Sequence, residues 1–287
     1  MPAQQIKTTI LTLAALIAFA ANSVLCRWAL DVYQIDAASF TSIRLLSGAV
    51  MLGLILLLQS NTLPTAVSHH KPSSWFGAVM LFMYAASFSY AYITLDAATG
   101  ALVLFAAVQI TMISLAMLSG YRLHTQEWLG LLLAFTGFIY LMLPNIGTPS
   151  LFGFVLMLIS GMAWGVYSHL GRHAKNPLHD TASNFIKTIP MVVLLMLFTF
   201  SQAQLNISGI IIAILSGALA SALGYIVWYA ALRGLSSTQA SVVQLGVPMI
   251  AALGGVLFLS ETISMHLAIA SLVMLAGIAL VIQCKAQ

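Results

Sequence analysis

Five polar residues interrupt long apolar stretches of this sequence and could bind a polar molecule. Asn22, Gln109 and Gln244 carry amides, whereas Arg44 and Lys187 carry positive charges. An amide buried without a hydrogen-bond partner costs about 2–7 kcal/mol, so each one predicts a partner helix, a water-filled cavity or a bound substrate. Amide oxygens could accept hydrogen bonds from a substrate ammonium, and amide nitrogens could donate to a carboxylate.

The two intramembrane cations allow two interpretations. Arg44 and Lys187 each lie about two turns from a predicted helix end, which is roughly 10 Å at 1.5 Å per residue. They could form an anion site for carboxylate or phosphate. They could instead extend towards the membrane surface or bind helix-end carbonyls.

Aromatic residues within the apolar stretches could form an apolar wall of the same site. Their π faces suit an aromatic substrate or its cation, although most aromatic residues in a helical bundle only pack. The candidates that line such a cavity, beside the three amides, are Tyr90, Trp164, Tyr167, Tyr225 and Trp228.

Breaks in helix geometry are predicted at prolines and glycines. Pro248 has no backbone N–H and leaves a carbonyl of its helix unpaired, and Gly246 beside it adds flexibility, so we predict a hinge or gate there. Pro190 predicts a simple kink. The small residues Ser216-Gly217 and Ala220-Ser221 predict close helix contact.

No catalytic residue, metal site or cofactor is expected. The sequence lacks the Ser-His-Asp, His-Glu-x-x-His, Walker and dinucleotide motifs. Cys26 and Cys284 are predicted on opposite membrane faces, too far apart for a disulfide, so both should be free thiols. No Asp or Glu falls near the middle of a predicted span, so the usual carboxylate relay for protons is missing. The protein is then a facilitator or exchanger, or His169, a tyrosine or a boundary acid handles the proton.

These residues lie in a chain built for lipid. Of its 287 residues, 61% are hydrophobic and 6% are charged, whereas a soluble domain carries about 25% charged residues. The net charge of +4 is too scattered for a nucleic-acid partner. A membrane-spanning helix needs about 20 mostly apolar residues. Ten segments meet this need: Thr8–Cys26, Ala37–Leu58, Ser74–Thr94, Thr99–Gly120, Trp128–Leu143, Leu151–Leu170, Thr181–Ser201, Ile207–Leu232, Thr238–Ser260 and Ser264–Ile282.

An internal repeat organises these ten spans into one membrane domain. The stretch Ala91–Leu143 resembles Ala230–Ile282, with Thr99 matching Thr238 and Gly137 matching Gly277. We therefore predict a first repeat over residues 1–146 and a second over 147–287, with five helices each. An odd number of helices inverts the second repeat in the membrane, and such halves can open a central site to either side in turn. Because seven of the eight Lys and Arg residues outside the membrane then lie on the side of Lys7, both termini are predicted in the cytoplasm.

The second half of the chain resembles a known family. The run from Gly224 to Ile282, GYIVWYAALRGLSSTQASVVQLGVPMIAALGGVLFLSETISMHLAIASLVMLAGIALVI, is similar to an EamA-type carrier of the drug/metabolite transporter superfamily. The first half is similar in layout. This resemblance implies ten helices in a 5+5 inverted arrangement, with a cavity lined by helices 1, 3, 4, 6, 8 and 9. Because it places helices 2 and 7 at the periphery, it favours the structural interpretation of Arg44 and Lys187.

The resemblance implies a secondary carrier in a bacterial-type inner membrane that exports amino acids or similar small polar metabolites by alternating access. Its partners are then the metabolite and the lipid bilayer, and the sequence is compatible with a homodimer. A drug-type efflux pump stays open, although helix 1 lacks the membrane-embedded Glu of the small multidrug pumps. An intramembrane enzyme or a membrane scaffold also stays open as a function of another class.

Overall fold

The described part of the chain is helical and contains no β-strand. The computed structural model describes residues 2–60, 74–118, 124–143, 149–172, 176–235, 243–244 and 246–284. Its α-helices are α1 (Pro2–Asp31), α2 (Ala37–Ser60), α3 (Trp75–Ala91), α4 (Ala97–Leu118), α5 (Thr125–Met142), α6 (Leu151–Arg172), α7 (Pro177–Lys187), α8 (Ile189–Thr199), α9 (Ile207–Leu215), α10 (Gly224–Leu232), α11 (Gly246–Leu259) and α12 (Met265–Cys284).

The helices have the length and the surface of a membrane protein. Six described segments are long and apolar enough to cross a bilayer: Gln4–Asp31, Ala37–Gln59, Ala97–Leu115, Leu151–Gly171, Pro177–Gln202 and Ile207–Leu232. Four shorter apolar helices, Trp75–Ala91, Trp128–Leu141, Gly246–Leu259 and Met265–Gly277, lie where the remaining spans were expected. Large apolar side chains such as Leu197, Phe198 and Leu257 are exposed, which suits contact with lipid tails. The all-α class is confirmed, and the count of ten crossings in a 5+5 arrangement stays a prediction.

Two of the expected spans are not regular α-helices. The helix break near Pro190 falls at Thr188, between α7 and α8, and Thr188 Oγ1 donates to the Phe185 carbonyl at 2.7 Å. Pro190 then occupies the first turn of α8, where its missing N–H costs little. The second irregularity is a π-helical segment, Ser216–Leu223, which joins α9 to α10. π-Helical turns are rare and are frequently found at functional sites.

Close helix contacts depend on glycine at two places. A Cβ atom added at Gly217 would lie 2.1 Å from the Arg44 carbonyl oxygen, so the π-helical segment touches the α2 backbone. This confirms the predicted close contact at Ser216-Gly217. A Cβ atom added at Gly137 would lie 2.4 Å from Met274 Cγ, and one added at Gly277 would lie 2.4 Å from the Ala134 backbone nitrogen. These two glycines, matched in the sequence repeat, therefore lie at one crossing between α5 and α12.

The helix contacts occur in matched pairs. Helix α1 packs against the continuous segment formed by α9, the π-helical turns and α10, and also against α11. Helix α6 packs against α3 and α4. Helix α5 packs against α12, α4 against α11, and α2 against α7 and α8. In chain order, α7 and α8 together form the seventh expected span, and α9 and α10 belong to the eighth. If each of the first five spans is exchanged with the span five positions later, the same set of contacts is obtained.

The bundle has two ends that are named here by their residues. The Arg27 end contains Arg27, Asp36, Asp96 and Glu261, where α1 ends and α2 and α4 begin. The opposite Thr8 end contains Thr8 and Gly234, which touch, and Gly171, which meets Tyr229.

Candidate functional site

Asn22 is buried at the centre of the helix bundle and is fixed by two hydroxyl groups. Its side-chain oxygen accepts hydrogen bonds from Ser216 Oγ at 2.8 Å and from Ser221 Oγ at 3.1 Å. Both serines belong to the π-helical segment, and all three side chains are buried. The partner of this amide in the structure is thus a neighbouring helix, one of the three partners that the sequence predicts.

Arg44 continues this polar chain and corrects the interpretation favoured from the sequence. Its side chain is only 1% exposed, so it does not reach the membrane surface. Nε donates to Ser221 Oγ at 3.0 Å, and Nη2 donates to the hydroxyls of Tyr84 at 2.9 Å and Tyr225 at 3.5 Å. The close contact at Gly217 places the α2 backbone at Arg44 directly against the π-helical segment, which also contains Ser221.

The guanidinium of Arg44 is also flanked by two aromatic rings. Its central carbon lies 4.8 Å from the ring centre of Phe88 and 5.2 Å from that of Tyr84. Desolvated cation–π contacts of this type contribute about 2 kcal/mol or more. Among the described side chains no carboxylate forms an ion pair with Arg44, and Nη1 has no hydrogen-bond partner. The charge is therefore held by neutral hydroxyls and rings.

An aromatic cluster adjoins this cation and contains four of the five predicted aromatic candidates. The ring centres of Trp164 and Tyr225 are 4.7 Å apart, and Trp164 lies 4.9 Å from Tyr84. Phe19 contacts Trp164 and Trp228, each at 5.6 Å between ring centres. Tyr167 completes the cluster 5.6 Å from Trp164. Phe19 was not among the site residues predicted from the sequence.

Two predicted site residues lie away from this cluster. Tyr90 is partly buried and lines a cavity of about 320 Å³ at the Arg27 end, together with Asp36 and Gln204. The Lys187 ammonium lies 5.8 Å from the ring centre of Trp75, on the first turn of α3. Arg44 and Lys187 therefore do not share one anion site in this structure.

The remaining candidates lie in or next to α4 and α11, which pack against each other. Gln109 on α4 and Gln244 just before α11 are 1% and 2% exposed, so neither faces lipid. Pro248 is buried in α11, and Gly246, at the start of that helix, faces Leu16 of α1. In the described part of the chain no cluster of His, Cys, Asp and Glu could hold a metal ion.

A second polar network joins the helix ends at the Arg27 end. Arg27 donates to the carbonyls of Tyr92 at 3.0 Å and Ile93 at 3.3 Å. Its guanidinium also lies 3.2 Å from the Asp31 carboxylate and 3.8 Å from that of Glu261. Both Glu261 oxygens accept from the Ala97 backbone N–H, at 2.9 and 3.0 Å, so this carboxylate binds the first turn of α4.

The electrostatics of Glu261 make the stability of this network depend on pH. Partial burial raises the pKa of the Glu261 carboxyl above its ordinary value, and Asp96 adds to the rise, while the Ala97 N–H and Arg27 oppose it. A raised pKa means that this arrangement binds a proton more tightly than a solvated Glu does. The contribution of the proton to the stability of the arrangement is therefore complete below the ordinary pKa of Glu and is lost as the pH rises through the raised value.

Comparison with known proteins identifies the family of this bundle. The sequence model of the EamA-like transporter family matches residues 6–143 and 151–283. The chain belongs to the EamA-like transporter family. This EamA-like protein is 49% identical over 276 residues to an uncharacterized protein of Pseudomonas aeruginosa, which covers 96% of this chain and 94% of that one. It is 24% identical over 256 residues to YoaV of Bacillus subtilis, an uncharacterized transporter, with 86% and 87% of the two chains covered.

A solved structure supports the fold of this EamA-like protein. A crystal structure that is 20% identical in sequence superposes with a TM-score of 0.67, covering 96% of this chain and 97% of the other. The family resemblance predicted from the sequence is confirmed. The protein is a multi-pass membrane transporter and not an enzyme.

Proposed function

We propose that this EamA-like protein is a secondary carrier that exports amino acids or similar small polar metabolites by alternating access. The observation that carries the proposal is the buried array of Asn22, Ser221 and Arg44 beside the aromatic cluster. Polar and ionisable groups inside a membrane bundle are costly and mark substrate pathways. In a protein of a transporter family, a substrate site is the function that best explains why these groups are placed in the core.

Two observations support alternating access. The helix contacts occur in matched pairs, which is expected if two inverted repeats, residues 1–146 and 147–287, pack about a pseudo-twofold axis. The family model also matches two stretches of the chain, one within each proposed repeat. Two such halves can exchange conformations, and the exchange would open the buried array first to one membrane face and then to the other.

We further propose that the Arg27 end is the extracellular gate and that the Thr8 end faces the cytoplasm. The link from Arg27 to Glu261 and Ala97 ties together α1, α3, α4 and the turn before α12. A cavity of about 180 Å³ at the Thr8 end is lined by Tyr167, Asp180 and Asn184. Because Tyr167 belongs to the aromatic cluster, this cavity offers cytoplasmic substrate a route to the array. Gly246 and Pro248 are proposed as the hinge of α11 during opening.

The buried charge disfavours the drug-type alternative. A lipophilic cation in the aromatic cluster would lie beside the Arg44 guanidinium, and no described carboxylate forms an ion pair with that residue to offset the repulsion. Like charges at short distance repel strongly in a medium of low dielectric constant. An anionic or zwitterionic substrate is therefore the better fit.

Mass spectrometry of spent medium tests the proposed function. Cells that overproduce the wild type are compared with cells that make Asn22→Leu, and with cells that make Leu197→Ala as a lipid-facing control, at matched membrane levels. We expect one class of small metabolite to accumulate outside with the wild type and the control, but not with Asn22→Leu. If the wild type leaves the medium unchanged while uptake of a metabolite increases, the direction of transport is wrong.

A further inference from the structure

We infer that Arg44 binds the carboxylate of the transported molecule, and that the substrates are small monocarboxylates with an apolar or aromatic body. Apolar amino acids belong to this class. The inference rests on the proposed transport function and deepens it by naming the substrate class. It depends on the surroundings of Arg44, which sequence reasoning assigned to the periphery of the bundle.

Arg44 has no counter-charge among the described side chains. Arg44 is buried to 1% exposure, and no carboxylate in the described part of the chain forms an ion pair with it. Buried charges in proteins are normally paired, because the cost of desolvation is large. Two rings and three hydroxyls offset part of this cost. A bound anion would supply the missing charge, and the attraction between the two charges is stronger in this core than at a hydrated surface.

Part of the hydrogen-bonding capacity of the Arg44 guanidinium is unused among the described residues. Nε and Nη2 are used by Ser221, Tyr84 and Tyr225, whereas Nη1 is buried without a partner among the described residues. An unsatisfied N–H group at a buried cation is costly, and a carboxylate oxygen is its preferred acceptor. The Ser221 hydroxyl, which accepts from Arg44 and donates to Asn22, holds the fork in this orientation.

The rest of the substrate would lie against the aromatic cluster beside Arg44. The rings of Phe19, Trp164, Tyr225 and Trp228 form a continuous apolar wall next to the guanidinium, with ring centres 4.7 to 6.1 Å apart. Such faces exclude strongly hydrated groups and stack on apolar or aromatic ones. A ligand would enter when α6 and α10 separate, as alternating access requires, and its carboxylate would then point at Arg44.

The number of cations favours a carboxylate over a phosphate. Lys187 lies over Trp75, and Arg27 binds Asp31 and the backbone at the Arg27 end, so Arg44 is the cation that this cluster supplies. A phosphate group carries close to two negative charges at neutral pH. One guanidinium balances a monocarboxylate and leaves about one charge of a phosphate uncompensated in the core.

Ligand-dependent thermal unfolding of the full-length protein in lipid nanodiscs tests the inference. The probes are L-phenylalanine, 3-phenylpropionate, L-phenylalaninamide and phenyl phosphate, which share one aromatic body. Because a hydrogen bond to a charged group contributes enough to change affinity about tenfold or more, we expect both carboxylates to bind at least about tenfold more tightly than the amide. Arg44→Gln should abolish this preference and Arg44→Lys should keep part of it, while Leu197→Ala leaves it unchanged.

The outcomes separate a substrate site from a purely structural arginine. Equal binding of acid and amide to the wild type overturns the inference without the use of any variant, even if Arg44→Gln fails to fold. Preferential binding of phenyl phosphate, or no shift with either carboxylate, overturns it as well. If wild-type cells export a metabolite and Arg44→Gln exports it equally, the inference fails while the proposed function stands. If the wild type discriminates acid from amide but exports nothing, the carboxylate site stands and the proposed function fails.

Discussion

Replacing Gly217 by alanine should force α2 away from the π-helical segment and disturb the whole polar array. The added Cβ atom would lie 2.1 Å from both the Arg44 carbonyl oxygen and Ser47 Oγ. Ordinary contact begins near 3.4 Å, and the difference from 2.1 Å means that the two backbones must separate by about 1.3 Å. The bond from Arg44 Nε to Ser221 Oγ, now 3.0 Å, would then break.

The cost of this separation follows from its parts. Overpacking a well-packed core costs about 1–3 kcal/mol, and loss of a hydrogen bond to a charged group costs about 1.5–3 kcal/mol. Alanine recovers about 1 kcal/mol of helix propensity relative to glycine. We therefore expect Gly217→Ala to lower the free energy of unfolding by about 1.5–5 kcal/mol.

Gly53→Ala is the matched control. It is also a glycine-to-alanine change and lies on α2, but a Cβ atom added at Gly53 has no neighbouring atom within 4 Å. The assay is thermal unfolding in detergent micelles, combined with metabolite export from cells. We expect Gly217→Ala to unfold at a clearly lower temperature than Gly53→Ala and to lose export. Equal unfolding temperatures and equal export for the two variants would refute the close contact on which the position of Arg44 depends.

Three further predictions concern the polar groups themselves. Asn22→Leu removes the acceptor of two buried hydroxyls, and at about 0.6–1.7 kcal/mol per bond inside a membrane bundle it should destabilise the protein by about 1–3 kcal/mol in thermal unfolding. An unchanged unfolding temperature would contradict this. Tyr84→Phe keeps the ring but removes the shorter of the two hydroxyl contacts that orient Nη2, so the guanidinium should lose its fixed orientation and carboxylate affinity should fall about tenfold, whereas Tyr33→Phe should have no effect. Glu261→Gln keeps an acceptor without the charge. In the wild type, hydrogen-exchange protection of the start of α4, corrected for intrinsic rates, should decrease as the pH rises through the raised pKa of Glu261. The variant should show no such decrease, and equal pH dependence would argue against the gate.

The helical class could be predicted from the sequence because a run of about 20 apolar residues indicates a membrane-spanning helix. The repeat was visible for a related reason, since Gly137 and Gly277 are needed at one tight helix crossing. For Asn22 the sequence predicted a partner, because an amide in an apolar helix needs one, and the structure provides Ser216 and Ser221, whereas its role in substrate binding stays a prediction. Depth and residue type carry this kind of information without knowledge of the tertiary contacts.

The direction of side chains could not be predicted in the same way. Arg44 and Lys187 have similar depths in the sequence, yet one enters the core and the other lies over Trp75. The difference depends on helix rotation, and on a π-helical segment whose start at Ser216 no sequence pattern announced. The role of Glu261 was missed because a loop acid reveals nothing about the helix N-terminus that it binds across 164 residues. From the sequence, Arg44 was expected to have a structural role, because the family resemblance placed its helix at the periphery of the bundle.

Release of loaded amino acids from proteoliposomes tests the proposed transport most directly. Vesicles containing purified wild type, Arg44→Gln or no protein are loaded with an equimolar mixture of apolar amino acids and their amides, and the external solution is followed by mass spectrometry. We expect the wild type to release the acids faster than the amides, and Arg44→Gln to match empty vesicles for the acids. Release of acids and amides at the same rate by wild type and Arg44→Gln would contradict the carboxylate site. Release by the wild type no faster than from empty vesicles would contradict transport of this substrate class.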